Sequence, residues 1–464
     1  MRNRRALWGV APVLISAALG LANAAAAQSL PEALAAAYWN NPEINAARAQ
    51  TRAVDENVPL AKSGFRPRVS GFADVTSQWR HGTVLGAGGR VGGQQGDQQV
   101  DAALGFAVEQ DIFRGFRTRN EIREAEAAVL ASRHTLANTA QNVLFDAAQA
   151  YMDVLRDRAV LQLRQRDVEF LAEQLQATQD RFDVGEATRT DVAQTRARLA
   201  ESQAQVSLGQ ANLRASLATF RQVVGQEATN LSPGFVFANR LPPSLPAAVE
   251  LGQAGHPAIL AAIYTADADA FEVKQIEGEF LPTVSIQGTV QRDFGLDSDF
   301  EANVGTITGR VTIPIYQAGA TSARLRQAKE LMGESRIAVD IRRAQVRAAV
   351  VTAWYQLEAA SAAIAAATTA VEAAQVALEG VQEELRVGQR TTLDVLDAQQ
   401  ELLDARVTLV LAQRDRVVSS FAILSAIGHL DAEHLDLPTP RYDPQEHYLQ
   451  VRDKWFGLRT PDGR

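Results

Sequence analysis

The 464-residue chain contains no cysteine. That excludes disulfides, thiol catalysis, cysteine-ligated zinc and an acylated N-terminal cysteine, so a lipid anchor of that kind is unavailable. Basic charge is also scarce. Lys and Arg number 46 against 54 Asp and Glu, a net charge of −8, which becomes −11 if Arg2, Arg4 and Arg5 leave with the leader described below. Nothing basic remains to dock nucleic acid. Aromatics make up 6% of the chain, and alanine is abundant, a balance that suits long helices better than compact cores. Beyond the leader no run of about 18 apolar residues stands out, so no membrane-spanning helix is expected in the mature chain. Proline and turn chemistry are missing from Gly115 to Gly185. A helix there would run roughly 70 residues, or about 100 Å.

Met1-Arg2-Asn3-Arg4-Arg5 is a basic head, Ala6 to Leu21 an apolar middle, and Ala22 to Ala27 a small-residue exit. These are the three parts of a secretory signal peptide, with the mature chain starting near Gln28. The product is expected to be periplasmic, secreted, or a β-type outer-membrane protein.

Val184-Gly185-Glu186-Ala187-Thr188-Arg189-Thr190-Asp191-Val192 is matched 203 residues later by Val387-Gly388-Gln389-Arg390-Thr391-Thr392-Leu393-Asp394-Val395. The same spacing pairs Ile112 with Ile315, Tyr151 with Trp354 and Gly225 with Gly428. Upstream, a spacing of 215 pairs Asn41-Pro42 with His256-Pro257, Phe65 with Phe280, and Pro67-Arg68-Val69-Ser70 with Pro282-Thr283-Val284-Ser285. Matches this extended mark an internal repeat. The 12 residues separating the two spacings coincide with the glycine-rich stretch Gly82 to Gly96, read as a flexible extracellular hairpin loop. The chain thus divides into a leader (1–27), a first unit (28–231), a proline-rich linker (232–246), a second unit (247–428) and an irregular periplasmic tail (429–464).

Each unit reads helix, strand, strand, very long helix, helix. Along the long helices Ala147, Val154, Leu161, Val168, Leu175 and Phe182 recur every seventh residue, as do Val350, Leu357, Ile364, Val371, Leu378 and Leu385. Both sets are coiled-coil seams. The strands alternate with period two: Val100 to Val108, Val284 to Val290 and Ile307 to Ile315 each present one apolar and one polar face, whereas Val69 to Val75 is weaker, with Phe72 out of phase. Runs of about 9 to 13 residues suffice for tilted strands to cross a bilayer. Strands alone leave a soluble sandwich open; the signal peptide and the long helices favour the membrane. Four strands cannot close a barrel, and lipid tolerates no open edge, so copies must share one. Two, three and four copies are all permissible by strand count.

The doubled helix-strand-strand-helix-helix plan, the Asn41-Pro42 and His256-Pro257 helix starts and the two Val-Gly-(x)5-Asp-Val turns resemble the TolC family of outer-membrane factors across almost the whole mature chain. The resemblance implies a mainly α chain with a small membrane β part. Three chains would form a 12-stranded barrel continuing into a periplasmic α-helical coiled-coil barrel. It also implies an outer-membrane location with a periplasmic extension, and passive export of proteins (type I secretion) or small molecules. The partners would be a periplasmic adaptor protein, an inner-membrane ABC or proton-driven transporter, and outer-membrane lipid. The stretch Val387 to Ala398 and the tail Tyr442 to Gly463 are nearer the secretion branch. Residues matching the family's periplasmic gate are Asp394, Asp397, Arg390, Asp191 and Thr190; Arg390 would lock onto Thr190 or Asp191 of a neighbouring hairpin. Phe182 and Leu385 stand where a tyrosine often aids that lock. The adaptor would meet Val184, Gly185, Thr188, Val387, Gly388 and Thr391.

Plainer readings accompany these. Gly185 and Gly388 each supply the left-handed residue that ends a helix, and Thr188 with Asp191, like Thr391 with Asp394, is spaced as a capping box. Asp397 is not required by capping, since its counterpart is Gln194. Gly86 to Gly93 fails as a dinucleotide loop because it joins two strands instead of opening a helix. No Walker A sequence, metal-ligand spacing or nucleophile-base pair occurs, so neither enzymatic activity nor a cofactor is expected. The competing reading is a trimeric coiled-coil structural protein anchored in the outer membrane, which the reversing turns at Gly185 and Gly388 disfavour. A soluble periplasmic scaffold is a third.

Overall fold

A computed structural model describes residues 28–85, 91–233, 240–296 and 299–463. The leader and the tip of the first strand hairpin lie outside the described residues. Helices α1 (Leu30–Asn40), α2 (Pro42–Asp55) and α3 (Asn57–Lys62) precede strands β1 (Arg68–Leu85) and β2 (Val91–Arg114), then α4 (Arg117–Asp183) and α5 (Arg189–Val224). The succession recurs with α6 (Leu245–Gly255), α7 (Pro257–Glu277), β3 (Thr283–Gly295), β4 (Glu301–Thr312), α8 (Ala320–Arg386) and α9 (Thr392–Ala426). The tail then adds α10 (Pro444–Val451), an ordered helix in a segment that sequence alone reads as irregular.

Helices α4 and α8 each have 67 residues, about 100 Å at about 1.5 Å per residue. Nothing interrupts them, so tertiary packing has to stabilise them along their whole length. The lower halves pair with α5 and α9, and the upper half of α4 packs on α2, α3 and α7. The pairing helices carry small residues at heptad spacing, with Thr195, Ser202, Gly209 and Ser216 all buried on α5. A Cβ on Gly209 would lie 3.3 Å from Leu161, so the absence of a side chain there lets the two helices approach. The sequence seam is therefore half of the interface: large residues on the long helix meet a small-residue row on its partner. The seam also drifts. Ala147 and Val154 are buried, but near the tip Phe182 is exposed and burial has passed to Leu171 and Thr178, as expected of a helix with 3.6 residues per turn against a seven-residue repeat.

The α8 sequence corrects one expectation. One stretch of it is apolar enough to cross a membrane by length and composition, though mostly unburied within the chain. The stretch owes this to many alanines rather than to a run of large apolar residues.

A central belt holds the main core. Leu30, Leu34, Leu144, Tyr151, Phe220, Ile259, Val350, Phe421 and Leu430 cluster there, near the midpoints of both long helices. The Tyr151 hydroxyl donates to the carbonyls of Gln28 (2.8 Å) and Ser232 (2.6 Å), tying the segment before α1 to the segment that follows α5. Burial raises the Tyr151 pKa to about 12. Asn41 and His256 cap α2 and α7 through Asn41 Oδ1 and His256 Nδ1, each followed by proline at the first helical position.

The four strands form one antiparallel sheet in the order β1-β2-β3-β4. The register brings the apolar faces together: Val69 opposes Val108, Gly71 opposes Phe106, Phe106 opposes Val290, and Gly288 opposes Ile307. Cross-strand partners share a face, so Val69, Val75 and Trp79 join Leu104, Phe106, Val290 and Ile307 in one exposed apolar surface. Phe72 falls on the opposite face, as its phase indicates. Strand β4 stops at Thr312, because Pro314 has no N–H to donate; Ile313 and Ile315 lie beyond it.

On either side of residues 86–90, the Gly82 to Gly96 stretch is strand rather than loop. Pairing continues through Arg80 with Asp97, Gly82 with Gln95 and Leu85 with Val91, so the 12 extra residues lengthen β1 and β2 to 18 and 24 residues against 13 and 12 for β3 and β4. Local glycine content suggested a turn, but the two arms of the stretch pair with each other. Residues 86–90, the remaining connection, lie outside the described residues.

Strand-to-helix turns at the foot of the sheet use paired left-handed residues, Gly115-Phe116 and Ala318-Gly319. At Gly115, φ is +62° and a Cβ would sit 2.2 Å from the Gly278 carbonyl oxygen, while a Cβ on Gly278 would sit 2.3 Å from the Gly115 carbonyl. The halves touch backbone to backbone there. Gly115→Ala is expected to destabilise the fold by on the order of 3 kcal/mol, whereas Gly333→Ala, in open space on α8, is expected to be neutral or stabilising; thermal unfolding of the two variants checks the contrast.

Candidate functional site

Both long helices end in the same way. Gly185 and Gly388 take φ of +87° and +78°. Their N–H groups reach Phe182 and Leu385 at 3.0 Å, and the following N–H groups of Glu186 and Gln389 reach Arg181 (2.8 Å) and Glu384 (2.9 Å). This is the two-bond Schellman closure. Three residues after each glycine a threonine opens the return helix. Thr188 Oγ1 accepts from the Asp191 N–H at 3.2 Å while the Asp191 carboxylate accepts from the Thr188 N–H at 2.8 Å; Thr391 and Asp394 repeat the exchange at 3.3 and 2.8 Å. Both capping boxes inferred from spacing are formed. Val184 and Val387 stand exposed at the extremities, at 72% and 70%. The two tips lie side by side, with a groove between them lined by Arg181, Glu186, Arg386 and Arg390.

The sequence-derived gate residues separate into three situations. Asp394 is occupied by its cap: the bonds from the Thr391 backbone and hydroxyl hold its carboxyl below the ordinary value, with the charge of Arg390 helping. Arg390 Nε donates to Glu384 Oε2 at 2.9 Å, within its own hairpin. No bond joins it to Thr190 or Asp191 of the same chain among the described residues. Asp397 accepts from Arg198 Nη2 of α5 at 2.9 Å, a bond that crosses from one hairpin to the other.

Sequence reasoning missed Arg198. Its counterpart 203 residues on is Glu401, just as Asp397 faces Gln194. The units therefore differ in charge at both positions, and that paired asymmetry was the available signal. A second cross-hairpin contact lies deeper. Asp167 on α4 is 3% exposed and accepts from Ser202 Oγ on α5 (2.8 Å) and Gln399 Nε2 on α9 (2.9 Å). Its counterpart is Ala370, so this bond too has no equivalent in the other half.

Near the foot of the sheet, Glu124 on α4 lies close to Glu272 and Asp269 on α7 and to Glu121 on its own helix. Burial first, then these like charges, raise its pKa to about 7. An acid whose folded value is raised binds its proton more tightly when folded, so its stability penalty grows as pH rises from about 4.5 to about 7. Glu124→Gln is expected to raise the melting temperature at about pH 8 and leave it unchanged near pH 4.

The profile of the outer membrane efflux protein family matches residues 33–226 and 249–429. The outer membrane efflux protein BepC of Brucella suis biovar 1 (strain 1330) is 42% identical over 456 residues, covering 98% of this chain and 97% of that protein. The outer membrane protein TolC of Vibrio cholerae serotype O1 is 27% identical, with 91% and 96% covered. The alkaline protease secretion protein AprF of Pseudomonas aeruginosa is 24% identical, with 90% and 88% covered. In fold, the chain is similar to the Campylobacter jejuni CmeC outer membrane channel, with a TM-score of 0.77 at 16% identity over 91% of this chain and 89% of that one.

Capping at the tip has a measurable consequence. Thr391→Ala is expected to speed amide exchange in the first turn of α9 by roughly fivefold, corresponding to about 1 kcal/mol. Because the Asp394 carboxyl is held below its ordinary value, its contribution is present above that value and is lost as pH falls through the lowered one. The same turn should therefore fray in the wild-type chain at strongly acidic pH. With doubled helical hairpins under an apolar sheet, and family similarity over nearly its full length, the chain belongs to the outer membrane efflux protein family: it is an outer-membrane export channel protein with a periplasmic helical extension.

Proposed function

We propose that three copies build one passive exit duct, with a 12-stranded barrel in the outer membrane and an α-helical tunnel beneath it, and that a periplasmic adaptor and an inner-membrane pump open it. The observation that carries this reading is the four-stranded sheet, apolar on one face and, among the described residues, without partners at the outer edges of β1 and β4, standing on helices about 100 Å long. Residues 28–231 and 247–428 act as two copies of one unit, joined by the linker 232–246, so three chains supply six hairpins around the axis. The adaptor meets the exposed tips through Val184, Gly185, Thr188, Val387, Gly388 and Thr391. The relatives include both an efflux protein and a protease secretion protein, and the duct geometry serves either cargo.

At the mouth, Asp394 and Asp397 from three chains place six carboxylates in a ring that attracts cations. The Arg198 bond neutralises part of the Asp397 contribution, leaving Asp394 the stronger half. Arg390, held by Glu384 within its hairpin, closes the mouth by turning to Thr190 or Asp191 of a neighbouring hairpin. An exposed pair of this kind is weak on its own, but repetition around the axis multiplies it.

Planar-bilayer recordings test the arrangement. Arg390→Ala is expected to raise conductance. Asp394→Ala with Asp397→Ala is expected to abolish block by multivalent cations, with Asp394→Ala alone removing more of it than Asp397→Ala alone. Block that survives the double substitution would leave capping as the whole role of Asp394.

A further inference from the structure

The C-terminal tail ends beside the foot of the sheet, and its geometry suits a lipid surface. Helix α10 is fastened to the upper helices by His447, whose Nδ1 lies 2.9 Å from the Asp55 carboxylate, and by Tyr448 under the Arg133 guanidinium at 5.0 Å. From there the chain runs to the start of β1. Lys62 pairs with Asp453 at 2.6 Å; Arg66 donates to the Lys454 carbonyl at 2.8 Å and lies 4.6 Å over the Trp455 ring. Lys454 Nζ closes a loop by donating to the Arg459 carbonyl at 2.7 Å. The loop pushes its apolar residues outward: Trp455, Phe456 and Leu458 are 67%, 90% and 105% exposed. A chain that fastens a segment this firmly yet leaves its large apolar side chains in water has placed them against something.

The position indicates what. Arg66 comes just before β1, which starts at Arg68, and the apolar face of the sheet begins at Val69. Trp455 therefore stands level with the edge of that face, on the helical side. Phe65, next to Arg66 in the chain, and Leu60 are also exposed, and Lys454 and Arg459 of the loop, with Arg66 packed against it, supply positive charge. Aromatic rings flanked by cations at the boundary of an apolar band match the headgroup region of a bilayer. We infer that the loop Lys454–Arg459 is a membrane foot that inserts Trp455, Phe456 and Leu458 into the headgroup-acyl boundary of the phospholipid leaflet on the helical side. The inference rests on the sheet spanning the bilayer. The foot gives the protein a second hold on the membrane, bonded through Lys62, Arg66 and Asp55 to the helices that carry the tunnel.

The absence of cysteine makes the test direct. Single substitutions Phe456→Cys in the loop, Val75→Cys on the apolar sheet face and Gln389→Cys at the hairpin tip are each labelled with an environment-sensitive fluorophore. The full-length protein is then placed in phosphatidylethanolamine–phosphatidylglycerol vesicles with and without spin-labelled acyl chains. The expected result is comparable lipid quenching at 456 and 75 and none at 389, with aqueous iodide quenching 389 alone. Lipid quenching at 75 with 456 behaving like 389 overturns the foot and leaves the channel reading intact. A probe at 456 shielded from both lipid and iodide also overturns it, placing the loop against a second copy. Absence of lipid quenching at 75 would mean that the sheet itself is not in the bilayer, and the foot fails with it.

Discussion

A backbone N–H or carbonyl facing hydrocarbon without a partner costs several kcal/mol, and the sheet of this chain has two outer edges. That constraint governs most of the architecture. The register aligns the apolar faces of all four strands on one side; in an outer-membrane channel protein that face suits lipid, and lipid requires the edges to be paired. One chain has too few strands to pair them with each other. The proposed sharing of a barrel among copies follows from this shortage, and the helices beneath inherit the same arrangement because each strand pair runs directly into a long helix.

The long helices solve a different problem with the same economy of sequence. A helix of 67 residues has far more surface than a belt core can cover, so most of its stability has to come from a partner helix along its length. The small-residue rows on α5 and α9 allow close approach, and the belt around Tyr151 and Phe421 fixes the midpoint. Below the belt, polar bonds from Asp167 to Gln399 and from Asp397 to Arg198 cross between the two hairpins of a chain, beside the apolar contact of Phe170 with the Leu378, Val395 and Leu402 cluster.

Much of this was legible in the sequence because it is local or periodic. The turns at Gly185 and Gly388, both capping boxes, the Asn41 and His256 helix starts and the strand phases all follow from residues within a few positions of one another. What escaped was long-range. Arg198 meets Asp397 across 199 residues, and Arg66 meets Lys454 across 388; no local pattern carries such pairings. The glycines from Gly82 to Gly96 are the opposite case: their local preference for turns gives way to the ladder that the two arms of the stretch form with each other. The apolar stretch of α8 is spread over many alanines, so it lacks the dense run of large apolar residues that marks a membrane span.

Native mass spectrometry of the protein extracted in mild detergent tests the central claim most directly, since it counts the chains that share a barrel. Three chains per particle is the predicted result. A monodisperse single chain that still conducts ions in a bilayer would contradict the account, because its sheet edges would then be satisfied by some means other than pairing between copies.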